Sequence, residues 1–127
     1  MDIDKINKTI SQIEKAITKE LWLDFDIMNF NGRTLLVTGT IDRTYKHTLE
    51  ILFEDVFAIL SPTEWTWDKK ENSKVLELLN EDESKSFNLK YSVVVDHKVF
   101  RFNAENIDNG CIIIAKSIIL QSNLQAG

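Results

Sequence analysis

Two histidines, His47 and His97, and one cysteine, Cys111, have the widest chemical reach in this 127-residue chain. A closed zinc site draws four ligands from Cys and His, and three such residues do not supply it within one chain. Carboxylates can complete a mixed site, but no ligand spacing accompanies either histidine. Asp42 and His47 lie across one expected turn, with serines and threonines available as nucleophiles. A nucleophilic triad is usually accompanied by a nucleophile elbow or a Gly-rich oxyanion loop, and neither is present. The glycines stand isolated at 32, 39, 110 and 127, so no loop of the common phosphate-cradling kind exists. No catalytic residue, metal ligand or cofactor is assigned.

Carboxylates are the more abundant chemistry. Asp24 and Asp26 project from one face if their segment is a strand. Like charges placed so repel, and such a face is wetted or meets a cation. Glu54-Asp55 and Glu81-Asp82-Glu83 form two further clusters. A glycosidase-type acid pair is defined by geometry, which spacing alone does not supply. Trp65 and Trp67 also share a face if extended, after Pro62 and before a polar run over 68–73. Exposed tryptophans anchor interfaces, whereas buried ones close the end of a core. The candidate partner-binding residues are therefore Trp65, Trp67, Asp24, Asp26, Glu81, Asp82 and Glu83.

The formal net charge is -5, from 20 acidic and 15 basic residues. That balance disfavours nucleic acid, which binds a basic face that displaces counterions, and it disfavours anionic membranes. It favours a basic protein partner. One cysteine forms no internal disulfide, so the fold does not depend on an oxidising compartment. The first twenty residues lack the apolar core of a signal peptide. No apolar run approaches the ~20 residues of a membrane helix. The expected location is the cytoplasm.

These residues are positioned by elements that the hydrophobic spacing outlines. Ile3, Ile6, Ile10, Ile13, Ile17 and Leu21 mark one face of a helix over about 3–20, with Asp2 as N-cap. Such a stripe calls for a sheet to cover it. A β-rich part over about 22–121 follows. Asn31-Gly32 between two alternating runs predicts a hairpin with strands at 23–30 and 33–42. Gly39 marks a bulge or a close backbone approach. His47–Leu60 reads as a long strand interrupted at Glu54-Asp55. Val75–Leu79 suits a strand or a short helix, and Glu81–Ser84 an exposed turn. Phe87, Leu89, Tyr91, Val93 and Val95 alternate as a strand, and Asp96-His97-Lys98 follows as a turn. Val99–Asn103 returns, 104–110 forms a loop, and Cys111–Leu120 makes the last strand. In it, Ile112, Ile114, Ile118 and Leu120 share a face. The expected fold is one α+β domain over 1–127, an N-terminal amphipathic helix packed on a mainly antiparallel β-sheet of about six to seven strands.

Two stretches carry a resemblance. One is His47-Thr-Leu-Glu-Ile-Leu-Phe-Glu-Asp-Val56 with Pro62 and Trp65 beyond it. The other is Val99-Phe-Arg-Phe-Asn103 leading to Ile112-Ile-Ile-Ala-Lys-Ser-Ile118. In spacing and size, residues 35–120 resemble small bacterial immunity proteins of polymorphic toxin systems. The resemblance implies a non-enzymatic protein that binds and blocks a cognate toxin domain. It carries no site residue across. The expectation is a protein-binding domain, monomeric or weakly homodimeric, with another protein such as a basic toxin domain as partner. The alternative is a small ligand-binding domain or enzyme with a pocket between helix and sheet.

Overall fold

The computed structural model describes residues 2–41 and 49–123; Asp42 and His47 lie outside them. Helix α1 (Ile3–Ala16) starts where expected, with the Asp2 side chain accepting the Lys5 amide at 2.8 Å. Asp4 in the first turn and Lys15 in the last complement the helix dipole. It ends short of residue 20, with Ile17 as the C-cap.

The strands are β1 (Trp22–Phe30), β2 (Leu35–Thr40), β3 (Leu49–Leu60), β4 (Glu64–Asp68) and β5 (Leu76–Leu78). After them come helix α2 (Glu81–Tyr91) and strands β6 (Lys98–Ala104) and β7 (Ile107–Asn123). They form one antiparallel sheet in the order β4-β1-β2-β3-β7-β6-β5. The β1–β2 hairpin turns at Asn31-Gly32. Asn31 Oδ1 accepts the amides of Arg33 and Thr34 at 3.0 and 2.8 Å, and Gly32 takes φ +92°. Gly39 provides a close approach: a Cβ there would lie 3.0 Å from the Phe25 ring.

The sheet curls until its two ends touch. The Glu105 amide, just past β6, donates to the Thr66 carbonyl in β4 at 2.7 Å. Phe102 on β6 thereby meets Trp65 and Phe25, with ring centroids 5.0 and 5.4 Å apart. Inside the curl, α1 buries Ile6 and Ile13, and the Ile17 that follows it is buried too, with Phe25, Phe53 and Phe100. Each buried isoleucine contributes roughly 2 kcal/mol. The ends of the helical stripe, Ile3 and Leu21, remain exposed.

The strand expected over 87–95 is instead the second half of α2 and the turn after it. Asn80 caps α2 with a reciprocal capping box: its side chain accepts the Glu83 amide while Glu83 accepts the Asn80 amide. Glu81, Asp82 and Glu83 suit the positive end of the helix dipole, so the acidic run begins a helix and is not a free turn. Ser92 in the left-handed region closes it. The apparent alternation buries little, since Leu89 and Val95 are exposed and Phe87 is half-buried.

The last strand also differs. Asp55 takes φ +52° and the β3–β7 register shifts between Val56 and Ala58, as the Glu54-Asp55 interruption suggested. Opposite it, β7 changes face between Ala115 and Ile118. Cys111, Ile113, Ala115 and Ile118 therefore point inward, while Ile112 and Ile114 join Leu79 and Val99 on the outer face. α2 covers that outer cluster through Phe87. The loop expected over 104–110 is shorter, because β7 begins at Ile107 and absorbs Asn109-Gly110 as a left-handed irregularity.

Candidate functional site

The structure sorts the candidate residues by exposure. Trp65 and Trp67 are only 4% and 2% exposed. They face the interior because β4 is the sheet end that the curl brings onto β6. Trp65 stacks on Phe25 at 5.7 Å, and Trp67 Nε1 donates to the Asn72 carbonyl at 2.9 Å. Both belong to the core, which removes them from any contact surface. Asp24 and Asp26 lie on the outer face of β1, across from Thr66 and Glu64 of β4. Both are half-buried, and Asp24 accepts the Thr66 hydroxyl at 2.7 Å. Neither stands without a partner.

Glu83 is also engaged in structure. Beyond capping α2, it lies 3.7 Å from Arg101 Nη2. Arg101 bonds Glu77 at 3.2 Å, and Asn103 Nδ2 donates to the same Glu77 oxygen at 3.0 Å. The Asn103 hydrogen bond and then the Arg101 guanidinium hold the Glu77 carboxyl below its usual range, against the opposing effect of burial.

Glu81 and Asp82 are different: both are exposed, and both border a groove of about 940 Å³. The α1 residues Ile3 and Asn7 form one lip of this groove, and α2 with the 93–99 segment the other. The segment is shaped by a tight turn in which the His97 amide donates to the Val94 carbonyl at 3.3 Å and Asp96 takes φ +76°. This turn lifts Val94 and Val95 into solvent, 57% and 81% exposed. Two adjacent β-branched apolar residues at a turn tip run against the polar habit of loops. Alternation made them look like strand residues, so neither they nor Ile3 and Leu78 were candidates from sequence.

His97 also lines the groove. Its Nδ1 lies 3.1 Å from the Val94 carbonyl, which can only accept, so a neutral imidazole presents Nε2 as an acceptor. Its ring meets the edge of Phe57 at 5.5 Å. Cys111 is on the inner face, opposite Phe102. Burial pushes its thiol above the ordinary range, against a hydrogen bond with Ser61, so it stays protonated and weakly nucleophilic. Among the described residues no group of three or more His, Cys, Asp or Glu is placed to hold a metal ion. No described helix is long and apolar enough to cross a membrane.

No protein-family model, curated protein or solved structure matches the chain. The groove joins exposed carboxylates to exposed aliphatic side chains.

Proposed function

We propose that this chain is a non-enzymatic protein-binding domain that receives a basic partner in the groove beside α2. The observation that carries the reading is that exposed Glu81 and Asp82 share one groove with exposed Val94 and Val95. Carboxylates steer a basic partner to the surface, and the aliphatic groups supply the area that leaves water on contact. The net charge of -5 acts in the same direction. With the resemblance to immunity proteins, the reading extends to a toxin domain as partner, bound and blocked in the cytoplasm. Neutralisation then needs no chemistry from this chain, only occlusion of the toxin's working surface.

The test is affinity capture with the tagged full chain, using the protein encoded by the adjacent gene as bait partner. Capture is expected, with loss in Glu81→Lys/Asp82→Lys while the melting temperature stays within a few degrees. Failure to bind any neighbour-encoded protein removes the reading. A second reading, a small-ligand site, is favoured by the groove volume of about 940 Å³, within the size of ligand pockets. Retention of a small molecule after native purification, displaced by Val94→Glu, would select it.

A further inference from the structure

The groove has a floor with unused hydrogen-bonding capacity. β5 is an edge strand, paired on one side only with β6 through Leu76–Phe102, Glu77–Arg101 and Leu78–Phe100. The Asn103 amide donates to the Val75 carbonyl at 3.0 Å, and the Leu79 amide to the Val99 carbonyl at 2.9 Å. Antiparallel pairs alternate between bonded and non-bonded. The Val75 carbonyl and residues 77 and 79 thus turn toward β6, and residues 76 and 78 turn their main chain outward. The outward Leu76 amide is taken by Glu14 Oε1 at 3.2 Å, as is the Val75 amide at 2.8 Å. Leu78 receives no such cover. It lines the groove, and the pairing phase leaves its amide and carbonyl outside the β5–β6 ladder.

One outward-facing residue offering both a donor and an acceptor is the template for an added strand. Proteins usually blunt such an edge with a helix or a charge. Here Glu14 and α1 blunt only its first half. We propose that an extended basic segment of a protein partner adds to β5 at Leu78 as a further antiparallel strand. Its main chain makes two hydrogen bonds with Leu78. Its side chains alternate between the α1 lip at Ile3 and the lip at Val94 and Val95. Glu81, Asp82 and Asp96 border the groove against Lys85 and Lys98, which selects Lys or Arg at the positions nearest the start of α2. This inference rests on the protein-binding reading and specifies its mode.

The probe is an alternating Val-Lys peptide, compared with the same peptide N-methylated at alternate residues to abolish strand pairing. Titration into the full chain is followed by calorimetry and by amide resonances. The plain peptide is expected to saturate one site, to shift the Leu78 amide and to protect it from hydrogen exchange. The methylated peptide is expected to bind about tenfold more weakly, the worth of two hydrogen bonds. Leu78→Pro removes an outward N–H that the β5–β6 pairing does not use but keeps the carbonyl, and is expected to weaken the plain peptide about threefold, the worth of one of the two bonds. Equal affinity for both peptides, or binding of neither, overturns strand addition. So does a dimer of the free chain in which Leu78 is already protected, since a second copy is then the occupant. Capture of the neighbour-encoded protein that depends on Glu81 and Asp82 but not on Leu78 overturns this inference alone. Absence of any capture overturns the reading beneath it.

Discussion

Glu14 and Val75 are 61 residues apart in the chain, yet the Glu14 carboxylate accepts the Val75 amide at 2.8 Å. With the Leu76 amide on the same oxygen, one side chain of α1 satisfies two outward amides of the β5 segment. It fixes the helix to the sheet edge where side-chain packing alone would allow sliding. Glu14→Ala leaves both amides unmet and is expected to cost about 3 kcal/mol. Glu14→Gln keeps an oxygen acceptor and is expected to fold.

The two glutamates at this end of the sheet respond oppositely to pH. Burial, outweighing the two backbone hydrogen bonds and Lys74, raises the Glu14 carboxyl above its ordinary range. The folded state then holds that proton more tightly than the unfolded one, so this group's contribution is fullest at low pH. It is lost as pH rises through the raised folded value. The Glu77 carboxyl is lowered, so its contribution is present above the ordinary range and lost as pH falls through the folded value. Urea unfolding between pH 3.5 and 7.5 is expected to show Glu14→Gln gaining on the parent as pH rises, and Glu77→Gln losing ground. Parallel pH profiles for the two variants would contradict both assignments.

Gly110 and Gly32 both adopt positive φ, but their surroundings differ. A Cβ at Gly110 would lie 2.3 Å from the Phe102 carbonyl oxygen, whereas nothing lies within 4 Å at Gly32. Gly110→Ala is expected to destabilise by about 3 kcal/mol, from backbone conformation and overlap together. Gly32→Ala carries only the conformational part, about 1 kcal/mol. Denaturant midpoints of the two variants measure the difference.

Ser92 closes α2 at φ 52°, ψ 48°, with its amide and that of Val93 both donating to the Asn88 carbonyl. A side chain there works against the left-handed conformation. Ser92→Gly is expected to raise stability by about 0.5 kcal/mol, after the glycine's larger unfolded-state entropy is deducted. A lower melting temperature would contradict it.

The two buried tryptophans should separate on truncation to phenylalanine. Trp67 Nε1 serves the Asn72 carbonyl, while Trp65 Nε1 is buried with no hydrogen-bond partner among the described residues. Trp67→Phe loses that bond with its packing; Trp65→Phe loses packing alone. The Trp67 variant is expected to be the less stable by about 1 kcal/mol. Neither is expected to lower partner capture while folded.

The helix, the hairpin and the antiparallel sheet were legible because each is signalled within a few residues. Ile6, Ile13 and Ile17 keep helical spacing, and Asn31-Gly32 specifies its own turn. The signal for α2 was equally local: Asn80 and Glu83 stand at capping-box spacing. The alternation from Phe87 to Val95 masked it, since a period of two over a short window does not report whether those residues are buried. Trp65 was illegible for another reason. Its burial depends on Phe102, 37 positions later, reaching it only when the sheet curls. The groove is illegible likewise, because Ile3, Leu78 and Val95 meet only after two helices flank one edge.

The hydrogen bond that joins Thr66 to Glu105 also bears on how the chain is made. β3 has its first partner, β2, already synthesised beside it, but its second partner is β7, the last strand to be translated. Until β7 arrives, the run Val56-Phe57-Ala58-Ile59-Leu60 has its long-range partner missing, and the aromatic interior stays open. Long-range pairings of this kind are slow to form and leave strand edges vulnerable while they wait. Yield during synthesis should therefore be governed by how fast β6 and β7 close the curl, and slow translation through residues 61–106 should favour aggregation.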